Sequence, residues 1–128
     1  MNKLIIDAAS EKIFLMIISN ASIYNITHEN TKINYEKLTI IINDFLSSKN
    51  IKITDISVIY INQGSGSFAG IRNSMSVVKA FNVAKNIDYY CYNLDDFKDE
   101  KDLRHENIPN LCKKYKIKKN LINPVYLS

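Results

Sequence analysis

The chain has 128 residues, 46% of them hydrophobic and 23% charged, with a formal net charge of +4. That length suits one domain with a real core, and no stretch approaches the ~20 apolar residues of a membrane helix. An acid interrupts the opening run Met1 to Asp7 too early for a signal peptide, so a cytoplasmic protein without a membrane partner is expected.

Leu4 to Asp7 reads as a short buried strand. Lys12 to Ser19 reads as a second and Ser22 to Thr27 as a third, joined across Asn20 and Ala21 by a tight hairpin. Asn34 to Ser47 carries Tyr35, Leu38, Ile41, Ile42 and Phe45 at helical spacing, with Asn34 placed to cap it. Ile40 and Leu46 widen its apolar surface beyond one stripe. Ile56 to Asn62 is nearly all apolar, as a central strand is. A glycine turn follows, then a helix from Ile71 to Ala84 in which Ile71, Met75, Val78 and Phe81 track one face. Val77 and Ala84 again broaden the apolar sector. Asp88 to Asn93 is the fifth strand. The order β-β-β-α-β-α-β predicts a single α/β domain over residues 1–128, with a mixed five-stranded sheet and helices. Beyond it, Asp95 to Asp102 reads as a short helix or loop, Leu111 to Lys119 as a helix, and Leu121 to Ser128 as an extended tail against the body.

Charge is uneven along the chain. Five lysines fall between Lys113 and Lys119 with no acid among them. The segment reads either as a solvated face or as a site that attracts RNA phosphate. Cys91 and Cys112 are the only cysteines and lack metal-ligand spacing, so buried thiols are expected rather than a bridge or a metal.

All three glycines of the chain, Gly64, Gly66 and Gly70, lie between the fourth strand and the helix that follows. Glycine is used where a backbone needs positive φ or where something comes very close. No lysine follows Gly70 as a Walker loop requires. Gly64 to Ala69 does fit G-x-G-x-x-[GA], but three strands and a helix precede it, and Asn93 stands where the ribose-binding acid belongs. The remaining readings are a tight structural turn and an anion-friendly helix start.

The nine residues from Gly64 to Arg72 resemble the signature G-P-G-S-F-T-G-L-R of the TsaB (YeaZ) family. Gly64, Gly66, Ser67, Phe68, Gly70 and Arg72 match it, and Ile71 stands for leucine. Ser65 replaces the proline and Ala69 the threonine. Leu4 to Ala9 resembles the family's opening strand ending in D-T-S. Asn34 to Leu46 resembles the helix beginning H-S-E-x-L, Lys79-Ala80 part of A-K-G-L-A, and Pro124 to Leu127 the closing P-x-Y-L-R. The likeness covers about residues 1–95 and the last five.

It implies one RNase H-like lobe of the actin/Hsp70-like ATPase fold. A short basic connector, Phe97 to Asn123, stands where a second lobe belongs. It also implies a non-catalytic subunit in the synthesis of threonylcarbamoyladenosine at tRNA adenosine 37. Its partners would be a TsaD-like catalytic subunit, a TsaE-like ATPase, tRNA through the complex, and a second copy of the chain when alone. The family meets its catalytic subunit through the two helices of this lobe, which places the expected interface at Tyr35, Leu38, Ile42, Met75, Val78 and Phe81. Ala8 and Ala9 lack the hydroxyls that meet phosphate in actin-like ATPases, so no cofactor, metal or catalytic residue is expected. Asp7 reads as structural, and neither His28 nor His105 has a nucleophile beside it in sequence. The alternative is a nucleotide-binding or protease-like enzyme domain built on the glycine turn 64–70, with Ser65 or Ser67 as nucleophile.

Overall fold

The computed structural model describes residues 1–126; the expected terminal Leu127 and Ser128 lie outside the described residues. Three strands, β1 (Asn2–Asp7), β2 (Lys12–Ile18) and β3 (Ile23–Glu29), form an antiparallel meander. A short helix α1 (Lys32–Glu36) and a longer α2 (Leu38–Ser48) follow. Strand β4 (Ile56–Gly66), helix α3 (Phe68–Lys85) and strand β5 (Asp88–Asn93) complete the α/β unit. After them come a 3-10 turn (Leu94–Phe97), helix α4 (Ile108–Lys114) and a two-residue strand β6 (Val125–Tyr126).

The sheet runs β3-β2-β1-β4-β5, with β4 parallel to both β1 and β5. These are the five expected strands. Strand β6 adds a sixth, parallel to the far end of β4 through Gly64↔Val125 and Gly66↔Tyr126. The tail therefore returns to the body as the sequence indicates.

Several boundaries differ from the sequence reading. The first helix is two pieces, because Lys37 leaves helical geometry at φ −103° and ψ 18°. Its cap is Thr31, whose hydroxyl accepts from the Asn34 N–H at 3.4 Å. Helix α3 begins three residues before Ile71, capped by Ser67. It ends on Asn86 at φ 56°, the left-handed conformation that asparagine tolerates. Helix α4 starts at Ile108 and stops at Lys114 rather than reaching Lys119.

Strand periodicity sorts the core into two layers. Leu4, Ile6, Leu15, Ile17, Ile59 and Ile61 point to one side, where α2 and α3 meet them with Leu38, Ile42, Phe45, Ile71, Met75 and Val78. Ile5, Met16, Tyr60 and Tyr92 point to the other side, packed on Phe97, Ile108, Leu111 and Cys112. The segment expected to be a mere basic connector therefore roofs the second face of the sheet. Without it, those fully buried side chains would face water at about 25 cal/mol for each Å² exposed.

Candidate functional site

The glycine segment is not a loop. Gly64 and Gly66 belong to β4, Gly70 belongs to α3, and Ser67 alone forms the corner. Gly64 takes φ 139°, a conformation open to glycine, and its N–H donates to Asn62 Oδ1 at 2.9 Å. Gly66 and Gly70 serve close approach instead. A Cβ on Gly66 would lie 2.2 Å from the Ala9 carbonyl oxygen, and one on Gly70 would lie 2.0 Å from that of Ala8. Ser67 donates its backbone N–H to the Ala9 oxygen at 2.9 Å and accepts the Gly70 N–H on its hydroxyl at 3.3 Å. Asn30 completes the junction, its amide donating to the Ala8 and Ser10 oxygens at 2.9 and 2.7 Å. The motif thus zips the start of α3 onto the turn after β1.

Phe68 and Arg72 of the same motif face outward. Phe68 meets the Tyr126 ring edge-on with centroids 4.7 Å apart, and the Arg72 guanidinium lies 5.7 Å from the Phe68 ring. These two residues hold β6 beside the end of β4.

A second cluster sits at the same end of the sheet. Asp7 Oδ1 accepts from the Ala9 N–H and the Asn62 amide, each at 3.2 Å. Its Oδ2 lies 2.9 Å from His105 Nε2, and the His105 ring stacks on Phe14 with centroids 3.9 Å apart. Burial raises the Asp7 carboxyl, but the bond to His105, the Ala9 N–H, the His105 charge and Asn62 together outweigh it and leave the group below its ordinary value. The sequence reading left His105 without a partner. They stand 98 positions apart in sequence, and no local pattern joins them. Among the described residues, no group of three His, Cys, Asp or Glu side chains could hold a metal.

The expected interface residues do not form an outer surface. Leu38, Ile42, Met75, Val78 and Phe81 are buried in the core under α2 and α3, and Tyr35 is half-buried against it. The sheet claims the stripe that had been assigned to a partner. The large apolar side chains that α1, α2 and α3 expose are Ile33, Ile40, Val83 and Phe68, by 66%, 59%, 78% and 41%, with Phe68 already placed against Tyr126. Both cysteines are free and buried, as expected.

A three-strand meander, a helix layer and a βαβ crossover, in one sheet with a central parallel pair, define an RNase H-like α/β lobe. The solved structures it resembles include YeaZ from Pseudomonas aeruginosa, with a TM-score of 0.66 and 16% identity over 72% of this chain. A Pseudomonas aeruginosa protein described as similar to peptidase YeaZ gives the same values. RuvC from Thermus thermophilus, in complex with a Holliday junction, follows at a TM-score of 0.53 and 9% identity over 77% of the chain. The likeness spans 43% of the YeaZ structures and 68% of that RuvC chain. At these identities it establishes the fold. No protein-family model matches the chain, and no curated protein matches it in sequence. No helix among the described residues is long and apolar enough to cross a membrane.

Proposed function

We propose that this chain is a TsaB-like accessory subunit of a complex that makes threonylcarbamoyladenosine on tRNA, and that it docks a TsaD-like catalytic subunit through its helical layer. The observation that carries this is the exposure of Ile40 and Val83 on α2 and α3, whose inner faces already fill the core, together with exposed Ile33 on the short α1. A helix that only covers a sheet needs one apolar stripe. Large aliphatic side chains left outside the core on several helices of one layer are where an associating surface is sought, and the double variant below tests whether these act as one. The interface is therefore assigned to these residues in place of the six expected ones, five of which are buried and one half-buried.

The junction of Gly66 and Gly70 with Ala8 and Ala9 supports the accessory role. In the nucleotide-binding half of the alternative reading, the same backbone groups would have to receive phosphate. Here the Ser67 N–H is spent on Ala9, the Gly70 N–H is spent on Ser67, and both glycines are used to admit carbonyl oxygens.

Co-expression with the catalytic subunit of the same cell, followed by size-exclusion chromatography, tests the reading. Wild type is expected to co-elute, and the double variant Ile40→Asp, Val83→Asp to elute alone with its circular dichroism unchanged. Co-elution of both proteins alike would remove this interface.

A further inference from the structure

The roof over the second sheet face is incomplete. Beside α4 a groove of about 460 Å³ opens, lined by Lys3, Tyr60, Tyr90, Asn110, Lys113 and Lys116 among others. It continues along the sheet into a depression of about 320 Å³ that shares Lys3, Tyr60 and Tyr90 and adds Asp88 and Lys119.

The charge in this channel is mainly positive. The larger groove brings three lysines and no acid to its wall. Among the described residues, Lys3, Lys113 and Lys116 make no ion pair. The one acid of the second depression, Asp88, is already held by the Asn120 amide at 3.0 Å and by Lys119 at 3.4 Å. Cations lining a low-dielectric groove focus a field that gathers anions.

The backbone that carries the later lysines is held against the sheet. After α4 the chain turns back at Lys116, φ 56°. Asn120 then binds β5 at Tyr89 twice, its N–H donating to the carbonyl at 2.8 Å and its side-chain oxygen accepting the Tyr89 N–H at 2.9 Å. Lys119 bridges Tyr90 on the backbone. The basic segment is thus stitched to the edge of the sheet, and it faces a pair of near-parallel tyrosine rings, Tyr60 and Tyr90, with centroids 5.4 Å apart. Burial pushes the Tyr60 hydroxyl up to about 12, so that wall stays uncharged.

An accessible aromatic ring beside a row of cations is the combination with which proteins hold unpaired nucleotides: rings take bases and cations take phosphates. We infer that this channel binds a short single-stranded nucleic-acid segment, with the partly exposed ring of Tyr90, backed by the buried Tyr60, against a base and Lys3, Lys113 and Lys116 on its phosphates. Two joined depressions suit more than one nucleotide. The inference does not rest on the docking of a catalytic subunit, because it uses the opposite face of the sheet.

Fluorescence anisotropy of the full chain with a labelled single-stranded RNA hexamer, measured across salt concentrations, tests it. Three phosphate contacts are expected to give a log–log salt slope of about −2, and Lys113→Gln with Lys116→Gln to flatten it by more than about one unit. Both lysines are exposed, so this variant is expected to keep the wild-type melting temperature. Tyr90→Leu is expected to weaken binding about tenfold with the slope unchanged. The variant Ile40→Asp, Val83→Asp is expected to bind the hexamer normally, which separates this inference from the interface proposed above. No binding at low salt, a slope indifferent to the lysine pair, or equal affinity for adenosine monophosphate or an RNA duplex would each overturn it.

Discussion

Gly70 on α3 lies so close to the carbonyl of Ala8 that a Cβ added to it would sit 2.0 Å from that oxygen and 2.6 Å from the Asn30 amide nitrogen. Two opposing effects meet there. Helix propensity alone makes alanine better than glycine by about 1 kcal/mol. Overpacking against a fixed backbone atom costs about 1–3 kcal/mol, and forces the helix away from the turn. The Ala8 oxygen is held by Asn30, so it cannot easily retreat. Gly70→Ala is therefore expected to lower the melting temperature, against the propensity trend. A melting temperature that rises or stays unchanged would falsify the close-packing account.

Asp7 gives the fold an acid-sensitive contact. Its carboxyl sits below its ordinary value in the folded state because the His105 contact and two N–H donors overcome burial. A depressed folded value means stability that is fully present above the unfolded value of about 3.9 and is lost as pH falls through the folded one. Asp7→Asn is expected to cost about 1–3 kcal/mol near neutrality, in the range of hydrogen bonds to charged groups, and less in acid, where the wild-type group is itself protonated. Urea titrations near neutrality and in strong acid measure both. An equal deficit at both pH values would show that the Asp7 charge contributes nothing.

The two thiols offer a chemical check on the roofed face and the helix layer. Burial pushes both Cys91 and Cys112 up to about 12, with Asp96 and Cys91 adding to the effect at Cys112. The reactive form of a thiol is the thiolate, so both side chains are inert near neutral pH while the chain is folded. Ellman's reagent is expected to label neither cysteine in the native protein and both after unfolding in guanidinium. Fast labelling of Cys112 alone would show that α4 opens from the sheet.

Much of the architecture was legible because its signals are local. The short apolar run from Leu4 and the longer one from Ile56 place two strands, and helical spacing finds the core stripe of α3 at Ile71, Met75, Val78 and Phe81. The same periodicity does not say which side of a broad apolar helix faces the sheet, so inner residues such as Leu38 and Val78 were assigned to a partner while Ile40 and Val83 were not. Two features needed the folded chain. His105 reaches Asp7 only through tertiary structure. Gly66 and Gly70 look like turn glycines in sequence, yet both serve contacts with Ala8 and Ala9, more than fifty residues away. The role of the segment after Phe97 was also hidden, because its cover for Ile5, Met16 and Tyr92 comes from the seven-residue helix α4, whose apolar stripe of Ile108, Leu111 and Cys112 is too short to mark a core helix in sequence.

Val78 and Val83 are chemically identical residues on opposite sides of α3, and they separate the core from the proposed docking surface. Val78 is 1% exposed and packs in the helix–sheet core, whereas Val83 is 78% exposed. Val78→Glu places a carboxylate where no partner waits, which costs about 3 kcal/mol or more out of a total stability of about 5–15 kcal/mol. Val83→Glu adds a charge already in water and is expected to change stability by no more than about 0.5 kcal/mol. Thermal melts of the two isolated variants give the first comparison, with the large loss expected at Val78 alone. Chromatography with the catalytic subunit gives the second, with Val83→Glu folded yet weakened in association. If Val83→Glu instead unfolds the chain, that side of α3 is not an outer surface, and the docking assignment to Val83 fails with it.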